Sequence, residues 1–245
     1  MSRYQLFIEY DGTHYAGWQT QPDEPTIQDA IEAALAQILR KEISIVGAGR
    51  TDSGVHAEGQ VAHFDFEEPI DKKKLLKSLW GVLPRDIAVW DMKEVDGTFH
   101  ARFDGTARQY RYQIIMRPSP LHRPLSWERY FEFDISSMIE CAKHVNGVHD
   151  FESFCKHNPD VNHTRCEVTH SEISFKNDLM IVYRIKANRF LHHMVRSLVG
   201  TMVEVGLGKR STESFKTLVL QPDRTSVGVT APAQGLILEK VFYKK

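Results

Sequence analysis

At 245 residues, 42% hydrophobic and 26% charged with a net charge of −1, the chain has the make-up of a globular protein of one large or two ordinary domains, which excludes disordered and fibrous classes. No apolar run reaches the length of a membrane span, and the opening MSRYQLFIEYDGTHYAGW is polar and acidic where a signal peptide has its apolar core, so a cytoplasmic protein is expected. Three cysteines, Cys141, Cys155 and Cys166, are too few and odd in number for a disulfide framework and agree with a reducing compartment.

The first segment, RYQLFIEYDG, alternates as a strand and ends on a turn signal. TIQDAIEAALAQIL then places Ile27, Ala30, Ile31, Ala34, Leu35, Ile38 and Leu39 on one helical face, and Thr26 with Asp29 three residues on resembles a capping box that fixes its start. After GAGRTDSGVHAE come a strand in GQVAHFDF, a helix in DKKKLLKSLWGVLP and a strand in IAVWDMKEV. A comparable series follows the turn signal DGT at 104 to 106: ARQYRYQIIM as a strand, DISSMIECAKHVNG as a helix closed by Gly147, and two strands around EVTHSEISF and LMIVYRIKA. The latter pair, separated by KNDL, reads as an antiparallel hairpin. A long helix, NRFLHHMVRSLVGTMVEVG, and a short one precede the closing strand GLILEKVFY. The pattern predicts an α+β protein of two similar halves, residues 1–105 and 106–245, without short-period repeats.

Net charge near neutrality neither favours nor excludes an anionic partner, because basic residues can be segregated on one surface. Arg102, Arg108 and Arg111 in ARFDGTARQYRY, and Arg184, Lys186, Arg189 and Arg196 in YRIKANRFLHHMVR, are interleaved with aromatics, the composition that stacks bases and pairs phosphates; solvated basic strand edges over an aromatic core have the same composition. In the long helix, apolar residues at 190, 191, 194, 195, 198, 199, 202 and 203 make one broad core face. On that projection Arg189, Arg196 and Gly200 share the opposite side, where a glycine lets another chain or ligand approach; a solvated basic face with an incidental glycine is the plainer alternative. Tyr110 shares a strand face with Arg108, Tyr112, Ile114 and Met116, and from this pattern reads as a core tyrosine whose hydroxyl finds a partner, ahead of a site residue.

Cys155, His157, His163 and Cys166 are soft ligands in a short stretch, but their spacing is irregular for a zinc module and an unligated loop is expected. His192 and His193, about 100° apart on a helix, are poorly placed to share an ion. Asp52 stands two residues from Arg50 among Gly47, Ala48, Gly49, Ser53 and Gly54, where a carboxylate can be held ionised yet accessible. Nucleophile, general base, metal ligand and turn cap are all open to it. GAGRTDSG lacks both the phosphate-loop ending and the dinucleotide-binding glycine spacing, and no metal cluster supports a hydrolase or phosphotransferase built on Asp52.

The string GAGRTDSGVHAEGQVAHFD closely resembles the signature of the tRNA pseudouridine synthase A (TruA) family. ARQYRYQI, NRFLHHMVRSLVGTMVEVG and APAQGLILEKV occur in the family's order, and YDGTHYAGWQ followed by TIQDAIE is similar too. The resemblance implies the pseudouridine synthase fold: two similar α+β halves on a continuous, mainly antiparallel sheet with a central cleft. It implies a homodimeric isomerase that converts uridine to pseudouridine at positions 38, 39 and 40 of the tRNA anticodon stem and loop, with no metal and no organic cofactor. Carried over by motif, Asp52 is the catalytic aspartate, Arg50 helps displace the target base, Tyr110 stacks on the uracil, Arg196 pairs with the aspartate, and Leu236 covers the base's other side. Arg102, Arg108, Arg111, Arg184 and Arg189 are expected to flank the RNA path. A protein that only holds structured RNA, without isomerase activity, is the alternative.

Overall fold

The computed structural model describes residues 1–156, 163–176 and 179–244. Its elements, in chain order, are β1 (Ser2–Tyr10), α1 (Ile27–Leu39), β2 (Val46–Gly47), β3 (His56–Phe66), α2 (Lys72–Val82), β4 (Ile87–Val95), β5 (Gly105–Ile115), β6 (Trp127–Glu128), α3 (Ile135–His144), β7 (Gly147–Asp150), β8 (Arg165–Lys176), β9 (Met180–Ala187), α4 (Met194–Gly206), α5 (Thr212–Leu220) and β10 (Leu236–Tyr243). They make a mixed α+β protein with a large, mostly antiparallel sheet. The chain divides into two compact units, Met1–Thr106 with Leu238–Lys245, and Ala107–Ile237. No helix among the described residues is long and apolar enough to cross a membrane.

In the first unit the strands run β4, β1, β3, β10, with β2 also on β3. Alternation along β1 buries Tyr4, Leu6, Ile8 and Tyr10, and α1 buries Ile27, Ile31, Ala34 and Leu35. Helix α1 starts where the capping pattern predicts: the Thr26 hydroxyl accepts the Asp29 N–H at 3.2 Å. Helix α2 is capped in the same way by Asp71, which accepts the Lys74 N–H. β1 and β3 are clamped where Arg3 faces Asp65 in register, Nε and Nη2 each 2.7 Å from a carboxylate oxygen.

In the second unit the order is β5, β9, β8, β7, with β6 parallel to β5. β8 and β9 are the expected antiparallel hairpin, with Arg165–Lys176 against Met180–Ala187. Two expectations change. Helix α3 is closed by Val145, whose N–H bonds back to Ala142 and Lys143, while Gly147 opens strand β7. The long helix begins at Met194, not Asn188. The 3.6-residue pattern continues through 188–193, but Asn188 pairs both ways with Glu167, its N–H on the Glu167 carbonyl at 3.1 Å and its Oδ1 on the Glu167 N–H at 3.0 Å. Lys156 donates to the His192 carbonyl, and His193 turns with φ +66°. Tertiary hydrogen bonds here override a helical pattern.

Helix α4 is buried nearly all round, with only Arg196 and Glu204 part-exposed. The close approach anticipated at Gly200 is made by the protein's own backbone: a Cβ there would lie 1.6 Å from the Val229 carbonyl oxygen. Gly200→Ala is therefore expected to cost about 3 kcal/mol or more, read as a lower urea midpoint at unchanged slope. A milder effect is expected of Asp65→Asn. The hydrogen bond from Arg3 holds the Asp65 carboxyl below the usual carboxylate range. A depressed folded-state pKa contributes stability that is complete above the unfolded value and lost as pH falls through the folded one. The gap between wild type and Asp65→Asn, about 1 kcal/mol at pH 7 for this part-exposed pair, should close below about pH 4 in urea titrations at stepped pH.

Candidate active site

Asp52 stands in the loop between β2 and β3, and that loop is bracketed by residues 15–18. The Thr51 carbonyl accepts the Trp18 N–H at 3.1 Å, and the Tyr15 carbonyl accepts the Gly54 N–H at 3.3 Å and the Ser53 hydroxyl at 3.2 Å. Thr51 is buried, and its hydroxyl meets that of Tyr10 at 2.8 Å. Burial pushes the Tyr10 hydroxyl up, so it stays protonated. Gln60 donates to the Gly49 carbonyl, and Ala48 donates to the Val61 carbonyl. Between these anchors a turn closed by the Val55 N–H on the Asp52 carbonyl leaves Asp52 half-buried and Arg50 exposed. Gly17, at φ +113°, lies so close that a Cβ would stand 2.6 Å from the Thr51 carbonyl oxygen. The small residues of the motif have separate causes: Gly47 clears the Trp18 indole and Ala48 is buried, while Gly49 alone of the three faces open space.

Tyr110, Arg196 and Leu236 belong to the second unit, Arg50 and Asp52 to the first. Tyr110 is buried on β5, its ring edge-on to Phe190 at 5.0 Å between centroids. Arg196, two residues into α4, donates from Nε to the Ala231 carbonyl at 2.7 Å, while the Ala231 N–H returns to the Arg196 carbonyl at 3.1 Å. Leu236 is buried at the start of β10, just after a short 3-10 turn, Ala233–Gly235. That turn is fixed by Tyr112, whose hydroxyl donates to the Pro232 carbonyl at 2.7 Å.

The basic residues divide by strand parity. Arg111 and Arg184 are direct partners across β5 and β9, with Glu172 opposite Arg184 on β8, and alternation puts them on the sheet face away from Tyr110. Arg108 shares the Tyr110 face and reaches the Asn188 carbonyl. Arg189 lies outside α4, 3.4 Å from the His163 ring nitrogen, and so is not on a helical face with Arg196. Arg102 sits over the exposed ring of Phe103 at 5.7 Å.

Of the Cys/His stretch, His157 lies outside the described residues. Cys166 is buried, which pushes its thiol up to about 12, and Cys155 points at the Glu152 carbonyl. Among the described residues, Cys155, His163 and Cys166 do not bring three ligand atoms together.

Several supporting residues escape a reading by motif: Tyr10, Trp18 and Gln60 behind the Asp52 loop, and Phe190, Tyr112 and Ala231 around Tyr110 and Arg196. Their signal in the sequence is weak, the glycines of YDGTHYAGW and of APAQG, since a backbone that packs this closely needs glycine opposite it.

The family model described as tRNA pseudouridine synthase matches residues 6–104 and 141–244. The chain is 42% identical over 244 residues to the tRNA pseudouridine synthase A of Bacteroides fragilis, covering 99% of this chain and 97% of that protein. It is 40% identical to the protein of that name from Bacteroides thetaiotaomicron, covering 99% and 91%, and 39% identical to that of Myxococcus xanthus, covering 100% and 93%. With near-complete coverage at this identity and a family model that matches most of its length, the chain belongs to the tRNA pseudouridine synthase family.

Proposed function

We propose that the protein isomerises uridine to pseudouridine in tRNA, at positions 38, 39 and 40 of the anticodon stem and loop, as a cytoplasmic homodimer. The observation that carries this reading is identity of about two residues in five along essentially the whole chain to relatives named for that activity, with GRTDSG intact.

The reaction conserves atoms. The N1–C1′ glycosidic bond breaks, the uracil turns in place, C5 bonds to C1′, and the C5 proton leaves while N1 gains one. A base inside a paired stem must first be extruded. Exposed Arg50 is suited to enter the gap, because its guanidinium pairs with phosphate and stacks on bases. Asp52 acts on the extruded nucleotide as a carboxylate, at the sugar or at the base, from a loop whose backbone is pinned on both sides. Such anchoring holds a reacting group in position without reorganisation. Tyr110 supplies a stacking wall braced by Phe190, and Leu236 an apolar cover that keeps water from the detached base. Arg196, directed by the Ala231 carbonyl, is the cation that partners the aspartate. Arg102, Arg108 and Arg189 are proposed phosphate contacts; Arg111 and Arg184 contact RNA where it reaches the other sheet face.

Tritium release from tRNA carrying 5-tritiated uridine, with pseudouridine mapping of the product, tests reaction and position together. Wild type should release label from positions 38 to 40; no release sinks the synthase reading in favour of a protein that only binds RNA. Asp52→Ala should abolish release, with tRNA affinity retained within about threefold because phosphate contacts elsewhere supply most of it. Loss of binding along with turnover would make Asp52 structural.

A further inference from the structure

Tyr110, Arg196 and Leu236 come from three different elements, and one buried side chain touches the structure that relates them. Tyr112 lies two residues from Tyr110 on the same face of β5, so the two rings are set roughly 7 Å apart by the strand itself. It is 0% exposed. Its hydroxyl donates to the Pro232 carbonyl at 2.7 Å, and its ring fills the space beside Gly235, where a Cβ would stand 2.5 Å from Cζ. Trp127 packs edge-on to the same ring, at 6.4 Å between centroids. Burial raises the hydroxyl well above the usual tyrosine range, which keeps it a donor.

The segment that Tyr112 holds bears directly on two of the three residues. Ala231, next to Pro232, accepts the Arg196 Nε–H and returns its own N–H to the Arg196 carbonyl. Leu236 follows Gly235 without an intervening residue. Moving residues 231–235 by a few tenths of an ångström therefore moves the acceptor that orients Arg196 and the backbone that carries Leu236.

We propose that Tyr112 is a positioning residue for the isomerisation: its hydroxyl and ring hold residues 231–236 so that Arg196 and Leu236 keep register with Tyr110. This rests on the functional reading above. Since Tyr112 is buried, it touches no RNA, and its loss should slow the chemical step without weakening substrate binding.

The test is single-turnover tritium release at saturating tRNA, well below the melting temperature, beside tRNA affinity by filter binding. Tyr112→Phe should lower the rate about ten-fold with affinity within about twofold of wild type. Replacement of Tyr112 by p-aminophenylalanine, which keeps a donor at the ring's end, should recover most of the rate, a result that holds even if Tyr112→Phe folds poorly. Asp65→Asn serves as a control for stability loss and should react at the wild-type rate. An unchanged rate in Tyr112→Phe, equal losses of rate and affinity, or no rescue by the donor-bearing residue each overturns the proposal. A wild type that releases no label would instead sink the underlying functional reading.

Discussion

The carbonyl oxygen of Val229 occupies the space that a side chain at position 200 would need, and much of the second unit is arranged around that contact. It lets the segment after α5 lie directly on the backbone of α4, close enough for Ala231 to pair with both the main chain and the guanidinium of Arg196. From there the chain turns through Ala233–Gly235 over Tyr112 and delivers Leu236 to the start of β10. One glycine in a buried helix thereby fixes an arginine and a leucine that are forty residues apart in sequence. A close approach of backbones is favourable here because the polar groups brought in are hydrogen-bonded on arrival.

The first unit solves a similar problem with different parts. The Asp52 loop is not itself fully buried, and its neighbours are anchored instead: Thr51 to Tyr10 and Trp18, Ser53 and Gly54 to Tyr15, Gly49 to Gln60. Asp52 is left half-buried between fixed points. Gly17 plays toward Thr51 the role that Gly200 plays toward Val229. In both units a glycine distant in sequence is the condition for placing a candidate site residue.

Much of this was legible from the chain. The alternation of RYQLFIEY, the Thr26 cap and the β8–β9 hairpin follow from local chemistry, because each depends on residues a few positions apart. The true start of α4 was not, since residues 188–193 keep the apolar period that extends the predicted helix back to Asn188, while Asn188 is drawn off by Glu167. The pairing of Arg111 with Arg184 was not either: strand parity already sets Arg108 with Tyr110 and Arg111 on the other face, but that β9 lies beside β5 in this register is set by the fold.

By itself the sequence determined the α+β element series, the motif that carries Arg50 and Asp52, and the family to which they point, because periodicity, capping and motif identity are properties of neighbouring residues. The tertiary structure alone decided that the last strand returns to the first unit, where Gly59 meets the Glu239 backbone, that the glycines at 17, 200 and 235 serve the protein's own packing, and that Tyr112 packs against Gly235 and holds the Pro232 carbonyl. Those outcomes depend on which distant backbones meet, a choice set by burial and hydrogen bonding summed over the folded unit and written in no single stretch of the chain.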